Sequence, residues 1–358
     1  MKKIVWIVLW PLQIYTDIAE ELAKEFDITL IVAKQYQKEI KKAGYQIHYL
    51  ESFPHHKGFW NMLNNKLGFP RISILKNLEK TIASLEPDLV VANTLYSPAT
   101  WQCKKICRKN NIMYAIQTEI QQYSTRLLLR PFSWLTFLFA KMFLLPKVDY
   151  LLPWTTRSKK FLKASSVSNP MRVLAAGLPK SFLGKPRKAR QKLLSIARFV
   201  PYKNHKQLIE IVARLPQNYS LTLVGTGPLR KKYVKRTQNN NRIHILEHIP
   251  HDVISQVYDE HDFFLLPSKN EAIGMVVLES MARGVVPLVS STAGAITYLE
   301  EFPELICSTT QDYIKKVQSI ATEEYSEKLI TTVKNKYTTT VLAKTWGKTF
   351  QMIIGGNK

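Results

Sequence analysis

The chain has 358 residues, of which 46% are hydrophobic, and it is therefore long enough for two globular domains. Its three cysteines, Cys103, Cys107 and Cys307, exclude a disulfide framework and a four-cysteine metal site, so we expect a reduced, cytosolic chain. The net charge of +24 is confined to residues 101–250, which hold 29 Lys plus Arg against 4 Asp plus Glu. A concentration of positive charge of this kind bears on the binding partners of the protein and not on its fold.

Short apolar segments in the first half of the chain predict buried parallel strands, because helical patterns separate them. The predicted strands are residues 3–9, 28–32, 46–50, 89–92, 113–117 and 150–152. The predicted helices include residues 14–25, 72–85 and 99–109. The apolar start of the chain is too short for a signal peptide and lacks a small-residue cleavage site, so we interpret it as the first strand.

Residues 126–147 are the most apolar part of the chain, yet Pro131 and Lys141 interrupt them. The apolar stretch is shorter than the roughly 20 residues of a transmembrane helix. A buried core helix and a helix partly sunk in a membrane interface both fit. No acidic residue occurs between Asp149 and Glu210, and this basic stretch favours an anionic membrane surface. Nucleic acid fits less well, because no recognised binding module accompanies the charge.

The second half repeats the plan of alternating strands and helices. Its predicted strands are residues 193–197, 221–224, 243–246, 263–266 and 286–289. Its predicted helices include residues 205–214 and 254–260, and a last helix covers about residues 340–354. The basic segment before this half contains several prolines and is the predicted linker. Both halves are therefore predicted to be doubly wound parallel sheets.

The most informative motif places Glu271 and Glu279 eight positions apart around Gly274. Residues 263–266 predict a buried strand, and Gly274 can begin a helix. Glu271 then lies on the loop, and Glu279 lies on the helix about a turn and a half from its start. Two carboxylates placed in this way suit a long ligand with hydroxyl groups at both ends.

The start of this predicted helix offers a second kind of contact. The backbone N–H groups of Gly274, Met275 and Val276 point out of the helix N-terminus. The positive end of the helix dipole favours oxyanions or sugar hydroxyl oxygens at that place. These three residues are therefore candidates for ligand binding.

The Glu-x7-Glu segment, with Pro267 before it and Gly284 and Pro287 after it, resembles the signature of the retaining nucleotide-sugar glycosyltransferases of the GT-B fold, specifically their fourth family. The Glu-x7-Glu spacing alone often occurs by chance, but the proline before it and the glycine and proline after it make the match specific. The resemblance implies that Glu271 contacts the donor sugar and that Glu279 binds the ribose hydroxyls. It is strong over roughly residues 190–300 and rests on topology elsewhere.

A second motif follows the predicted strand at residues 193–197. Arg198 and Lys203 match the Arg and Lys that hold the donor diphosphate in the family. Two cations and a helix N-terminus can stabilise a departing nucleoside diphosphate without a metal. Two solvated cations in a basic chain are the alternative. The chain has no Asp-x-Asp pattern, so we expect no catalytic metal and no cofactor beyond the nucleoside-diphosphate sugar as co-substrate.

A glycine-rich turn, Gly225-Thr226-Gly227, lies between these two motifs in the chain. Such turns are common for purely structural reasons. Because its position matches the order of motifs in the family, the resemblance implies that its backbone lines the nucleotide pocket. By the same resemblance, His248 and Ile249 fall where the chain passes the nucleobase.

The N-terminal half departs from the family pattern at two positions. Residues 9–13 contain no glycine where family members have a glycine-rich loop after the first strand. Residues 115–122 contain no His where the family has one near the transferred sugar. Gln117 or Glu119 can take this role, since both side chains can bond sugar hydroxyls. A plain strand end is the alternative.

The resemblance implies an α/β protein of the GT-B fold, with two facing Rossmann-like, doubly wound parallel-sheet domains and a C-terminal helix crossing back. Residues 1–170 are the expected acceptor-binding domain, 171–190 the linker, and 191–338 the nucleotide-sugar-binding domain. Residues 339–358 form the helix that packs on the N-terminal domain. Ligands of such sheets bind outside the carboxyl ends of the strands, so we expect the active site in the cleft between domains.

The expected function is metal-independent transfer of a sugar from a nucleoside-diphosphate sugar to a lipid-linked or cell-envelope saccharide, with retention of anomeric configuration. The expected location is cytoplasmic, with peripheral association at the anionic inner face of the cell membrane and no nucleic-acid partner. Two alternatives are open. A glycoside hydrolase would place two carboxylates around one bond. A non-catalytic basic binding protein with the same fold would bind nucleic acid in a salt-sensitive way.

Overall fold

The computed structural model describes residues 1–8, 13–37, 44–53, 74–122, 130–186, 191–247, 249–250 and 253–356 of the chain. The chain forms two compact units. The first unit combines Met1–Ala176 with Thr339–Lys358, and the second unit comprises Gly177–Thr338. The end of the chain therefore returns to the N-terminal unit.

The first unit is built on a parallel sheet. Its strands are β1 Lys3–Val8, β2 Asp27–Ala33, β3 Gln46–Leu50, β4 Ser52–Phe53, β5 Ile74–Leu75, β6 Leu89–Asn93, β7 Met113–Thr118 and β8 Tyr150–Pro153. Six of them pair in the order β3-β2-β1-β6-β7-β8, all parallel, whereas β4 and β5 form a separate antiparallel pair. Apart from the edge strand β3, these strands are mainly apolar and buried, as expected when both faces of a sheet are covered.

Helices connect these strands and cover the sheet. They are Gln13–Leu22, Leu78–Leu85, Pro98–Lys109, Arg130–Phe139, Thr156–Ala164 and the C-terminal helix Thr339–Ile354. The C-terminal helix packs on the first helix of the unit. Its Trp346 ring also lies 5.0 Å from that of Trp6 on β1, and its Phe350 meets Phe26, just before β2, edge-on. The prediction that the last helix crosses back is confirmed.

The predicted helix at residues 72–85 is wrong in its first part. Ile74–Leu75 is a strand that pairs antiparallel with Ser52–Phe53, and the helix begins only at Leu78. Asn77 precedes this helix with a positive φ of 58°. The apolar residues before Leu78 continue the helical spacing, so the local pattern gives no sign of a partner strand more than twenty residues away. The predicted helix at 14–25 also ends earlier, at Leu22.

The second unit repeats the architecture of the first. Its strands are β9 Lys192–Ile196, β10 Ser220–Val224, β11 Ile243–Leu246, β12 Phe263–Leu266, β13 Val286–Ser290 and β14 Ile306–Cys307, in the parallel order β11-β10-β9-β12-β13-β14. Its helices are His205–Arg214, Arg230–Thr237, Ile254–Asp259, Met275–Ala282, Thr310–Ser319 and Thr322–Lys336. The order of strands reverses between β9 and β12, which is where ligands of such sheets bind.

The predicted linker at 171–190 is only partly a connection. Leu178 and Phe182 are buried in the core of the second unit, and Lys180–Phe182 forms a 3-10 turn. The chain passes from one unit to the other between Ala176 and Gly177. The described part of residues 171–190 therefore contributes to both units. The prediction of two doubly wound parallel sheets is confirmed.

Candidate active site

Two loops meet at the carboxyl ends of β9 and β12. The Lys203 ammonium group donates a hydrogen bond to the carboxylate of Glu271, and the two side chains are only 11% and 16% exposed. The backbone N–H of Lys269 also donates to the carbonyl of Tyr202, at 2.8 Å. The structure thus brings together one residue of the predicted diphosphate motif and the first carboxylate of Glu-x7-Glu, at the place where the strand order reverses.

Arg198 occupies the same turn as Lys203 but has different surroundings. It is exposed, and no hydrogen bond or ion pair of its guanidinium group occurs among the described residues. The turn that carries it is fixed by backbone bonds, because Phe199 donates to the carbonyl of Thr226 at 2.8 Å and accepts from Leu229 at 3.0 Å. A rigid backbone with an unengaged cation is suited to an anionic ligand.

The glycines of the Gly225-Thr226-Gly227 turn are required by this same contact. Gly225 has a φ of +146°, and a Cβ added to it would lie 2.3 Å from the Ala197 carbonyl oxygen. A Cβ on Gly227, with a φ of +147°, would lie 2.7 Å from the Phe199 carbonyl oxygen. Real Cβ atoms do not approach so closely. The two glycines therefore let the turn after β10 pack directly against the turn that carries Arg198.

His205 begins the helix that follows Lys203. Its ring is buried and stacks on Phe199, with the ring centroids 4.2 Å apart, and the Tyr233 ring contacts both rings at 5.7 and 6.1 Å. Burial lowers the pKa of His205 to about 4, and the positive charge of Lys203 acts in the same direction. The ring is therefore neutral at neutral pH. Nothing in the local sequence identified this residue as buried.

Changing His205 to phenylalanine should make the free energy of unfolding less sensitive to acid. The unfolded chain binds a proton near pH 6.5, whereas the folded chain does so only near pH 4, so stability falls as the pH drops through this interval. The loss reaches about 3 kcal/mol for the native residue. Urea unfolding at pH 7, 5.5 and 4 measures it. The same acid dependence in both proteins would contradict the argument.

Glu279 lies on the predicted helix, with its side chain turned into the second unit. The helix runs from Met275 to Ala282, and Glu279 is 8% exposed. The hydroxyl of Tyr258 donates a hydrogen bond to its carboxylate at 2.8 Å. Burial, with the charge of Glu279 in addition, raises the pKa of Tyr258 well above its usual range, so the hydroxyl keeps its proton and orients the carboxylate.

Gly274 is the residue before this helix and has a positive φ of 71°. A Cβ there would lie 2.4 Å from the Cβ of Ala295. The predicted helix start is thus observed, and Met275 and Val276 occupy its first two positions, where backbone N–H groups have no partner within the helix. Both residues are half-buried.

In the first unit, Gln117 and Glu119 lie at the end of β7, as predicted. Gln117 is fully buried, and neither its Oε1 nor its Nε2 has a hydrogen-bond partner among the described residues. Glu119 is close to Thr94 and Tyr15, and burial raises the pKa of its carboxyl group. A buried amide with neither atom bonded is costly, so it marks a position suited to a polar ligand.

An aromatic cluster next to Glu119 was not predicted. Tyr15 contacts Trp6 and Trp154 at ring distances of 5.4 and 5.6 Å, and Trp346 contacts both tryptophans. The indole N–H of Trp6 donates to Asn93 at 3.0 Å. The four rings come from distant parts of the chain, so no local pattern could join them.

Two predicted positions cannot be placed in full. Residues 9–12, where the family has its glycine-rich loop, and His248 lie outside the described residues. Ile249 is described, and it is half-buried against the core of the second unit. Among the described residues, no three His, Cys, Asp or Glu side chains are grouped as metal ligands would be.

Comparison with known proteins gives a family match over residues 181–337, described as Glycosyl transferases group 1. The GDP-Man:Man(3)GlcNAc(2)-PP-Dol alpha-1,2-mannosyltransferase of Dictyostelium discoideum is 29% identical over 159 residues, which cover 38% of this chain and 31% of that protein. The uncharacterized glycosyltransferase YqgM of Bacillus subtilis is 32% identical over 115 residues, covering 30% of this chain and 32% of that protein. The chain thus spans about a third of the length of these curated relatives.

Solved structures resemble the chain over its whole length. Sucrose-phosphate synthase from Thermosynechococcus elongatus has a TM-score of 0.80 at 15% identity and covers 100% of both chains. Anabaena HepE, in complex with UDP and glucose, has a TM-score of 0.74 at 14% identity and covers 98% of this chain and 100% of that one. At such identities the likeness shows the fold. The chain therefore has the GT-B fold, and residues 181–337 within it match the family described as Glycosyl transferases group 1.

Proposed function

We propose that this protein transfers a sugar from a nucleoside-diphosphate sugar to a hydroxyl group of a saccharide acceptor, with retention of anomeric configuration and without a catalytic metal. The observation that carries the proposal is the contact of Lys203 with Glu271 where the strand order of the second unit reverses. The family match over this unit and the UDP complex of the Anabaena relative support the class of donor.

In this proposal the donor diphosphate lies between Arg198, Lys203 and the start of the Met275–Ala282 helix. Negative charge grows on the diphosphate as its bond to the anomeric carbon breaks. Preorganised cations and helix N–H groups stabilise that charge most strongly in the transition state. Lys203 has three N–H donors, so its bond to Glu271 leaves it able to bond phosphate as well.

The two carboxylates take different parts of the donor. Glu279 binds the ribose hydroxyls, and the hydrogen bond from Tyr258 holds its carboxylate in one orientation. Glu271 contacts the transferred sugar and orients Lys203. The nucleoside diphosphate departs from the face at which the acceptor hydroxyl attacks, so no covalent enzyme intermediate is required.

The acceptor in this proposal is a lipid-linked or cell-envelope saccharide. The Dictyostelium relative is named for an acceptor carried on PP-Dol, which supports a lipid-linked saccharide. Gln117 and Glu119, at the carboxyl edge of the first unit, are the residues we assign to sugar hydroxyls.

The test uses UDP, GDP, ADP and CMP, each added to the protein in a thermal melt, followed by transfer assays with the matching sugars. One nucleoside diphosphate should raise the melting temperature. The Glu279→Gln variant should lose this shift, whereas Glu271→Gln should keep it and lose turnover. Transfer should persist in EDTA. No shift with any nucleotide, combined with hydrolysis of simple glycosides or with salt-sensitive nucleic-acid binding, would overturn the proposal.

Changing Gln117 to leucine should separate ligand binding from stability. Removing a buried amide without partners should raise the free energy of unfolding by about 1–3 kcal/mol. If the amide bonds a sugar hydroxyl, transfer should fall at the same time. The control is Ser195→Ala, because the Ser195 hydroxyl in β9 is also buried without a partner among the described residues. This control should leave transfer unchanged, and unchanged transfer in Gln117→Leu would remove the residue from the site.

A further inference from the structure

Residues 130–147 of the first unit, here called the aromatic segment, expose an unusual number of large apolar side chains. Each exposed member of the set keeps about half of its surface in solvent: Phe132, Trp134, Leu135, Phe139, Met142 and Phe143. Elsewhere in the described residues, exposed large apolar side chains are scattered along the chain, apart from the cross-strand pair Phe53 and Ile74. Exposed apolar patches of this kind mark binding surfaces.

The opposite side of the aromatic segment is part of the core. Phe137 and Leu144 are buried there, and the Phe137 ring lies 5.5 Å from that of Phe161. The segment is therefore fixed in orientation, and its exposed side chains are held outward. The sequence left open a buried core helix or a helix partly sunk in a membrane interface. One face of the segment is buried as in a core helix, and the other face is exposed and available to a partner.

Cations lie beside the C-terminal part of the aromatic segment. Lys104 donates to the carbonyl of Phe143 at 2.9 Å, and Arg108 donates to the carbonyl of Lys147 at 3.2 Å. The bonds to backbone oxygens hold these positive charges next to the aromatic segment without neutralising them.

Acidic residues are scarce in the sequence around these cations. Asp149 is the one Asp or Glu in residues 120–209, and its carboxylate accepts a hydrogen bond from the Tyr114 backbone at 2.9 Å. A second copy of the same surface would bring like charges together. The charges therefore favour an anionic partner, and the exposed aromatic side chains favour one with an apolar interior.

We propose that the aromatic segment docks this protein on a membrane that contains anionic phospholipid. Aromatic side chains suit the interface between headgroups and acyl chains, and Lys104, Arg108 and Lys147 are placed to meet lipid phosphates. None of the helices in the described ranges has the length and apolar content to cross a bilayer. The proposal deepens the proposed function, because a lipid-linked acceptor would lie at this surface, but its test needs no nucleotide sugar, so the two can fail separately.

The experiment measures sedimentation of the full chain with vesicles of phosphatidylcholine alone and with vesicles of equal parts phosphatidylcholine and phosphatidylglycerol. We expect binding to the anionic vesicles only. High salt should weaken this binding without abolishing it, because salt screens charges but does not remove apolar contacts.

Two double variants test the two components. Arg130 begins the helix of the aromatic segment and is exposed, so it is a further cation on this surface. Arg130→Glu with Lys147→Glu should weaken binding at least about 25-fold, since each cation near an anionic surface contributes about fivefold. Leu135→Ser with Met142→Ser should abolish the binding that remains in high salt. All four side chains are exposed, so the fold should tolerate the changes.

Matched controls come from the Arg230–Thr237 helix of the second unit, which is also basic and carries an exposed valine. Lys231→Glu with Lys232→Glu makes the same change in net charge, and Val234→Ser removes an exposed apolar side chain. Both controls should bind like the native protein. Equal losses in the controls and the test variants, equal binding to both vesicles, or self-association through Leu135 and Met142 without lipid binding would overturn the proposal.

Discussion

Lys203→Met should lower kcat/KM for sugar transfer by about 30- to 900-fold. This range corresponds to about 2–4 kcal/mol, the usual effect of losing one preorganised charge contact at a developing anion. Methionine keeps most of the length of the side chain and removes the ammonium group, with its charge and its N–H donors. The control is Lys206→Met, three positions further along the chain and exposed, which should retain activity. Native activity in Lys203→Met would remove the residue from the diphosphate site.

The contact with Glu271 makes a second variant necessary. Removing Lys203 leaves the Glu271 carboxylate, which is 16% exposed, without this partner, so part of any loss could come from that carboxylate. The double variant Lys203→Met with Glu271→Gln resolves the two effects. If Lys203 served only to hold Glu271, the double variant would be no worse than Glu271→Gln alone. Direct action on the donor predicts a further loss, seen mainly in kcat.

The strands of the two main sheets could be predicted because their signal is local. A strand covered on both faces is a short apolar run, and this property is visible in residues 263–266 or 89–92 without any knowledge of neighbours. The prediction was wrong at Ile74–Leu75. This apolar pair fits the helical spacing of the residues after it, and its partner strand, Ser52–Phe53, is distant in the sequence. The local pattern also gave no sign of β14, which has only two residues.

The site could be predicted in its residues but not in its contacts. Glu271 and Lys203 were each identified from motifs, yet their ion pair joins positions 68 residues apart. Tyr258 was missed altogether, because a tyrosine on a short helix has no distinguishing pattern until Glu279 is placed beside it. Spacing along the chain identifies side chains, whereas packing between strands decides which of them meet.

Among the described glycines of the second unit, Gly225 makes the closest approach to backbone, so Gly225→Ala should be the most damaging glycine-to-alanine change there. The new Cβ would lie 2.3 Å from the Ala197 carbonyl oxygen and 3.0 Å from its carbonyl carbon, and the φ of +146° is itself unfavourable for alanine. Neither neighbour is a flexible side chain, so the backbone has to move. We expect a loss of about 2–5 kcal/mol in the free energy of unfolding. Urea unfolding would measure it.

Two other glycines serve as controls that distinguish the effect of a positive φ from the effect of a close contact. Gly356 has a positive φ of 69° and open space within 4 Å of the position that a Cβ would take, and Gly44 has open space and no positive φ. Gly356→Ala should therefore cost about 1–2 kcal/mol, and Gly44→Ala close to nothing. In Gly225→Ala the displaced backbone carries Arg198, so transfer should fall even at temperatures where the variant is fully folded. A variant as stable and as active as Gly44→Ala would mean that the turn after β10 does not position Arg198.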